Sequence, residues 1–232
     1  MSCRAKHNRD ALPFRRSFVI AEMSPTLPRR RLLQLGAAAA LLAAPAVRRA
    51  YAAPQRALRP TPSQMEGPFY PLELPDDHDH DLLRNGERIT LLGRPTSVVG
   101  SVVDTDGRPL RGAVVEIWQC DAGGVYHHPG DRGRRDPNFQ GFGRVSVDGD
   151  GRWGFRTIRP VPYGRRTPHI HFKVWLGGRR LLTTQLYVEG DPGNARDFLW
   201  RQLGADERAL ITVPFQPGAD GYRASFPIVV RA

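Results

Sequence analysis

Two histidines one residue apart stand inside the apolar run RTPHIHFKVW, Arg166 to Trp175. In a β-strand, side chains i and i+2 share a face, so His169 and His171 look one way while Ile170 and Phe172 look the other. Imidazole is the commonest metal ligand, yet most histidines bind nothing. A lone His-x-His reads equally as a polar stripe on a half-exposed sheet. Two tyrosines shift that balance. Tyr163 lies six residues before His169 in VPYGRRTPHIH, and Tyr126 follows the EIWQC run in GGVYHHPGD. Two phenols and two imidazoles make a donor set of two oxygens and two nitrogens. Phenolate is a hard anionic donor and imidazole a borderline one. The mixture suits ferric iron better than zinc, which favours Cys and His, or calcium, which favours carboxylates and carbonyls. A free tyrosine titrates at about 10, and a bound trivalent cation would hold it deprotonated.

Other residues of the same types have plainer readings. DDHDHD (Asp76–Asp81) reads as a solvated loop rather than a metal tract. His127 and His128 flank Tyr126 and are weaker ligand candidates. Tyr70, in EGPFYP, either lines a pocket or packs. Trp118, Trp153, Trp175 and Trp200 read as core.

The elements that must position these residues are short β-rich runs between Gly, Pro and Asp. The candidate strands are Arg88–Gly93, Thr96–Asp104, Gly112–Cys120, Gly143–Val147, Arg152–Ile158, the HIHFKVW run, Leu181–Val188 and Ala224–Arg231. Turn signals such as DTDGRP, DGDG and LGGRR separate them. Ala195–Leu203 is the one segment with helical character. This spacing predicts an all-β fold, an antiparallel β-sandwich with one short helix in the C-terminal third. Residues 53–66 read as an extended arm. Polar side chains on the buried face of a sandwich strand need partners, so His169 and His171 require a ligand or hydrogen bonds.

The chain has 232 residues and a formal net charge of +11, but residues 1–52 carry ten of the Lys/Arg and only Asp10 and Glu22. The rest is close to balanced and has no basic stripe interleaved with aromatics, which argues against nucleic acid. The basic leader reads as a targeting segment. PRRRLLQLG (Pro28–Gly36) precedes the apolar run Gly36–Val47, too short and Ala-rich to span a bilayer. AYA at Ala50–Ala52 is a small-x-small cleavage site. The arrangement resembles a twin-arginine export signal over 1–52, with Met23 as the expected start, delivering residues 53–232 to the periplasm or medium without membrane insertion. Beyond the leader Cys120 is the sole cysteine, so no internal disulfide forms there.

Five ordered segments carry a family resemblance: EIWQCDAGGVYHH, DPNFQGFGR, GFRTIRPVPY, RTPHIHF and TTQLYVEGDP, preceded by DHDLLRNGERITLLG. Together they resemble the intradiol ring-cleavage dioxygenases, above all the iron-binding subunit of the protocatechuate type, over most of 66–232. The resemblance implies a β-sandwich and a non-haem Fe(III) held by Tyr126, Tyr163, His169 and His171. It implies that Arg166 stabilises the anionic ring, and that Tyr163 yields its place to the substrate and accepts a proton. Gln185 is implied beside the substrate. The partners are then a catechol-type aromatic and O2, opened between its hydroxyls to a cis,cis-muconate-type diacid. A homo-oligomer is left open. Family members carry a longer loop, with a tryptophan, between the second tyrosine and the first histidine. Here only GRRTP intervenes, which makes Arg165 a second cation near the site and a candidate grip for a substrate carboxylate. The alternative is a non-catalytic, transthyretin-like binding module, for which DGRPLRGAVVEIW (Asp106–Trp118) is a common opening. A copper or zinc occupant of the same donors is a lesser alternative.

Overall fold

A computed structural model of the chain describes residues 57–232, so the export segment and the first residues of the arm lie outside the described residues. A minimal hairpin, β1 (Arg84–Asn85) and β2 (Arg88–Ile89), precedes β3 (Pro95–Asp104), β4 (Ala113–Trp118), β5 (Phe142–Ser146), β6 (Arg152–Ile158), β7 (His169–Leu176) and β8 (Arg179–Val188). A 3-10 turn (Asn194–Arg196), α1 (Phe198–Arg201) and α2 (Ala205–Ile211) follow. The chain closes with β9 (Thr212–Val213), β10 (Gln216–Gly218), β11 (Gly221–Ser225) and β12 (Ile228–Val230).

The strands form two five-stranded sheets. In one, β3 pairs with β6 along one edge and with β11 and then β12 along the other. The other has the order β5-β4-β7-β8-β9, which makes β7 its central strand. The sheets meet through alternate side chains: Val98 and Val102 of β3, Trp153 and Phe155 of β6, Val115 and Ile117 of β4, and Ile170, Phe172 and Val174 of β7 all enter one core. Phe172 sits at the junction, 5.4 Å from Trp153 and 5.0 Å from Phe226 between ring centroids. The sandwich expected from the sequence is there. Three of its pairings, β3 with β11, β3 with β12, and β8 with β9, are parallel rather than antiparallel.

Three local expectations are corrected. The run Arg88–Gly93 leaves the hairpin after Ile89, and Leu91 is 91% exposed, because no neighbouring strand offers it a ladder. The helix expected at Ala195–Leu203 breaks at Asp197, whose backbone is extended and whose side chain caps α1 instead. The seven-residue helix forms one segment later, at α2. Gly204 precedes it in extended geometry, and the Glu207 carboxylate accepts the Gly204 N–H at 2.9 Å. The C-terminal strand is split at Phe226, whose N–H donates to Val99 O as the chain crosses from β11 to β12.

The described part of the arm, residues 57–66, has no helix or strand and is tied to the residue after β3, to β12 and to β8. Leu58 N donates to Thr105 O, Thr61 N to Val229 O and Gln64 N to Thr183 O. It then continues as a strap, residues 64–72, over the outer face of β7 and β8.

Gly100 of β3 lies under the β11–β12 crossing. A Cβ there would sit 2.0 Å from Phe226 O and 2.5 Å from Trp153 Cζ2. Neither backbone nor buried indole can move aside, so Gly100→Ala should destabilise the domain by about 3 kcal/mol. Differential scanning calorimetry should show Tm lower by roughly 6–12 °C, and an unchanged Tm would contradict this packing.

Candidate metal and active site

The even-numbered residues of β7 fill the core, so the odd-numbered ones face outward, away from the other sheet. The sequence reading sets the histidines opposite Ile170 and Phe172 and asks for a ligand or hydrogen bonds if the strand is central, as it is. They lie on that outward face and are nevertheless 2% and 4% exposed, because loops cover them. Register sets their neighbours. Trp118 of β4 and Gln185 of β8 flank His171, and Tyr187 of β8 stands opposite His169. The Trp118 indole lies nearly parallel to the His171 ring, 12° apart at 4.7 Å. On the far side Gly67 of the strap, in left-handed geometry at φ 78°, comes so close that a Cβ would lie 3.6 Å from His171 Cε1. Beside it, Phe69 stacks on Tyr126 at 4.8 Å.

Tyr126 is delivered by the loop after β4. Asp121 folds that loop by accepting Gly123 N and Val125 N, and Asp131 accepts Tyr126 N at 2.8 Å. The outcome is a triangle. Tyr126 Oη lies 3.1 Å from His169 Nε2 and 3.0 Å from His171 Nε2, and the two Nε2 atoms are 3.1 Å apart. His169 Nδ1 donates its proton to Thr167 O at 2.6 Å, which leaves the Nε2 lone pair bare. His171 Nδ1 is buried with no partner. With its proton on Nε2, His171 can donate to Tyr126 Oη while the phenol donates to His169 Nε2, so the fit to a cation rests on donor type and spacing. Donors about 3 Å apart are what neighbouring ligands at right angles present when each bond is about 2.0–2.1 Å. The residues therefore fit a metal ion. Among the described residues no three His, Cys, Asp or Glu converge anywhere, so the set exists only through tyrosine.

Burial sets the protonation states. It pushes His169 down to about 4, with the Arg166 cation adding to the effect. It holds His171 well below the ordinary histidine range, helped by His169 and Arg166. Both imidazoles are thus neutral at neutral pH, as ligation requires. Burial likewise raises the Tyr126 phenol well above its usual range, so only a strong positive charge among these atoms would ionise it.

Tyr163 is partly exposed on a tight turn closed by Tyr163–Arg166 backbone bonds, with Gly164 at φ 55°. Its ring stands edge-on to Tyr126 at 5.0 Å, and no hydrogen bond joins its hydroxyl to the triangle. Arg166 packs against the site's edge. Its Nε donates to Asp197 Oδ2 at 2.7 Å and its Nη2 to Gln185 Oε1 at 2.5 Å and Tyr187 Oη at 3.1 Å. Gln185 is fully buried, and its Nε2 donates to Met65 O. Arg165 is exposed and lines an open cleft with Arg166, Pro162 and Arg196. Tyr70 turns from the triangle: its hydroxyl donates to Glu116 Oε2, and its ring packs edge-on to Trp118 and lies 3.0 Å from Lys173 Nζ. His127 packs on Phe139, and His128 Nδ1 accepts Gly130 N; neither joins the triangle. In the DDHDHD tract, Asp77 accepts Gly86 N, Asp79 accepts Asp81 N and Asp81 pairs with Arg156. Those carboxylates shape turns.

Sequence reasoning missed Asp197, Tyr187, Phe69 and the role of Trp118. Tyr187 carried a signal, because it shares its strand face with Gln185 two residues earlier. The others depend on contacts distant in the chain.

The Dioxygenase family model matches residues 65–225. The protocatechuate 3,4-dioxygenase beta chain of Burkholderia cepacia is 38% identical over 201 residues, 77% of this chain and 83% of that one. Catechol 1,2-dioxygenase 2 of Acinetobacter lwoffii is 32% identical over 158 residues, 60% of this chain and 54% of its own length. This chain thus spans most of the first relative and about half of the second. Among solved structures, the dioxygenase domain of a dioxygenase–carbohydrate-binding fusion from Streptomyces sp. SirexAA-E superposes with a TM-score of 0.61 at 32% identity, covering 75% of this chain and 99% of that domain. The match runs through the strands and loops that build the triangle, and the chain belongs to the intradiol ring-cleavage dioxygenase family.

Proposed function

We propose that this chain is an exported non-haem Fe(III) dioxygenase that takes a catechol-type aromatic and O2 and breaks the ring bond between the two hydroxyl-bearing carbons. Both oxygen atoms enter the product, a cis,cis-muconate-type diacid. One observation carries the reading: the buried Tyr126 Oη, His169 Nε2 and His171 Nε2 converge within 3.0–3.1 Å, the spacing of neighbouring ligands on one metal ion. Tyr163, beside Tyr126 and partly exposed, is the fourth protein donor.

A ferric ion would be held by Tyr126, His169, His171 and Tyr163, and it would supply activation of a catechol's ring toward O2. The chain's own residues do the rest. His169, locked in one tautomer by Thr167 O, presents its lone pair without rearrangement. Trp118 and Phe69 exclude water from one side and keep the local dielectric low, which strengthens every charge interaction inside. Tyr163 sits on a turn with a left-handed glycine and is the ligand free to move away and accept a catechol proton. The Arg166 guanidinium, tethered on three sides, offers a fixed positive charge where the ring becomes anionic and ketonised, an electrostatic contribution that needs no reorganisation during reaction. Gln185 acts through that guanidinium.

Arg165 and Arg196 line the cleft that also reaches Arg166, in the space left by the short Tyr163–His169 segment. This favours a catechol bearing a ring carboxylate, with Arg165 as its grip. For export, the support is the paired arginines of Pro28–Gly36, the apolar run after them and the AYA site.

Three outcomes test this. Iron-loaded protein should be red to burgundy from phenolate-to-Fe(III) charge transfer, and His169→Ala and His171→Ala should each lose most of the iron by elemental analysis. Full iron in both variants would refute the ligand assignment. Arg165→Ala should raise KM for a ring-carboxylated catechol by about 10-fold, the effect of losing roughly 1–2 kcal/mol of a charge-assisted bond, and leave plain catechol unchanged. Equal losses on both substrates would remove the carboxylate role. Replacing Arg29 and Arg30 together by Lys should leave uncleaved protein in the cytoplasm, since lysine lacks the planar fork of guanidinium; cleaved protein in the periplasm would end the export reading.

A further inference from the structure

Asp197 is fully buried between β8 and α1, and its carboxylate accepts four hydrogen bonds. Oδ1 takes Leu199 N at 3.0 Å and Trp200 N at 3.1 Å, the free N–H groups of α1. Oδ2 takes Arg166 Nε at 2.7 Å and Thr167 N at 3.0 Å. A helix cap needs only one of these oxygens. The other serves the segment that carries Arg166 and Thr167.

We infer that Asp197 is a positioning residue for Arg166, fixing through Oδ2 the direction in which the guanidinium presents its remaining N–H groups to the substrate. The inference rests on the role proposed above for Arg166. Three observations support it. The guanidinium is clamped at Nε by Asp197 and at Nη2 by Gln185 and Tyr187, while Nη1 makes no hydrogen bond among the described residues. The side chain is 15% exposed and lies over the Phe198 ring, the first residue of α1, with Cζ 5.4 Å from the centroid. Its plane is thus held on one edge by a carboxylate and on one face by the helix that this carboxylate caps. Finally, Asp197 also holds the Thr167 N–H, and Thr167 O accepts from His169. One buried carboxylate therefore ties together α1, the arginine and the anchor of a histidine in the triangle. Although burial opposes its charge, the hydrogen bond from Arg166 and the backbone donors outweigh that and hold Asp197 below the ordinary carboxylate range. It is anionic at neutral pH.

The alternative is that Asp197 only caps α1, and Asp197→Asn separates the two. Asparagine caps helices as well as aspartate. With its carbonyl turned to Leu199 N and Trp200 N, however, its NH2 group faces Arg166 Nε, donor against donor. The inference expects kcat on plain catechol to fall about 10–100-fold, the scale of a misplaced catalytic group, with KM changed less than about 3-fold and the iron content and colour retained. In an Arg166→Lys background, which itself loses roughly 10²–10³ in kcat, adding Asp197→Asn should cost less than about 3-fold more, because the residue it positions is already gone. Should the Asn variant fail to fold, Asp197→Ser keeps a capping oxygen and runs the same cycle. An unchanged kcat in the single Asp197 variant, or the same fractional loss in both backgrounds, would overturn the inference and leave the Arg166 role standing. An Arg166→Lys enzyme with full kcat would overturn the Arg166 role, and the inference with it.

Discussion

β7 is buried on both faces, and the two faces carry opposite chemistry. Ile170, Phe172 and Val174 enter the sandwich core, where burial by itself stabilises them at about 25 cal/mol per Å² of apolar surface. His169, His171 and Lys173 are as deeply buried on the other side, where burial costs free energy unless each polar atom finds a partner. A one-residue slip of the strand would exchange the faces and ruin both. Much of the remaining structure exists to satisfy that outer face.

The cover is made of parts distant in sequence. The strap seals His171 with Gly67 and Tyr126 with Phe69, and it ties Gln64 and Met65 to Tyr187 and Gln185. Lys173 is matched by Glu66 of the strap at 2.6 Å, and Glu116 opposite it is matched by Arg144, Tyr70 and Trp175. A buried ion pair of this kind contributes little net stability over an apolar substitute, but removing one partner leaves a charge uncompensated. The network thus locks the strap in register over the donors. At the other end Asp197, Gln185 and Tyr187 hold Arg166 in the same way. The triangle lies between these two polar networks, and its three atoms are donors of the kind and spacing that one metal ion takes.

This donor set separates the site from a binding module of similar fold. A transthyretin-like sandwich has no reason to bury two neutral imidazoles and a phenol against one another, each shifted by desolvation toward its uncharged form. Groups held that way are at functional sites more often than in inert cores. The family model spans the stretch of chain that carries these residues.

β-rich composition between Gly, Pro and Asp turn signals was enough to read β3, β4, β6, β7 and β8 nearly to their ends, because each packs apolar side chains into the core. The donor types and their order along the chain singled out Tyr126, His169 and His171, which the fold brings together, and Tyr163, which stands beside them, with iron favoured over zinc as an expectation. Local signals failed where tertiary contacts decide. Arg88–Gly93 has strand composition but no backbone partner across the hairpin beyond Thr90. Ala195–Leu203 has helical composition, yet Asp197 is drawn out of the helix by Arg166 and Thr167. The internal bonds of Tyr70 to Glu116 and of Gln185 to Met65 and Arg166 could not be read from the sequence, because each partner is distant in the chain. Sequence determined which side chains share a strand face, since that follows from backbone geometry alone. Which face would be covered, and which carboxylate would meet which cation, was decided by loops closing over large sequence separations, where pairing depends on the whole fold and not on any local stretch of chain.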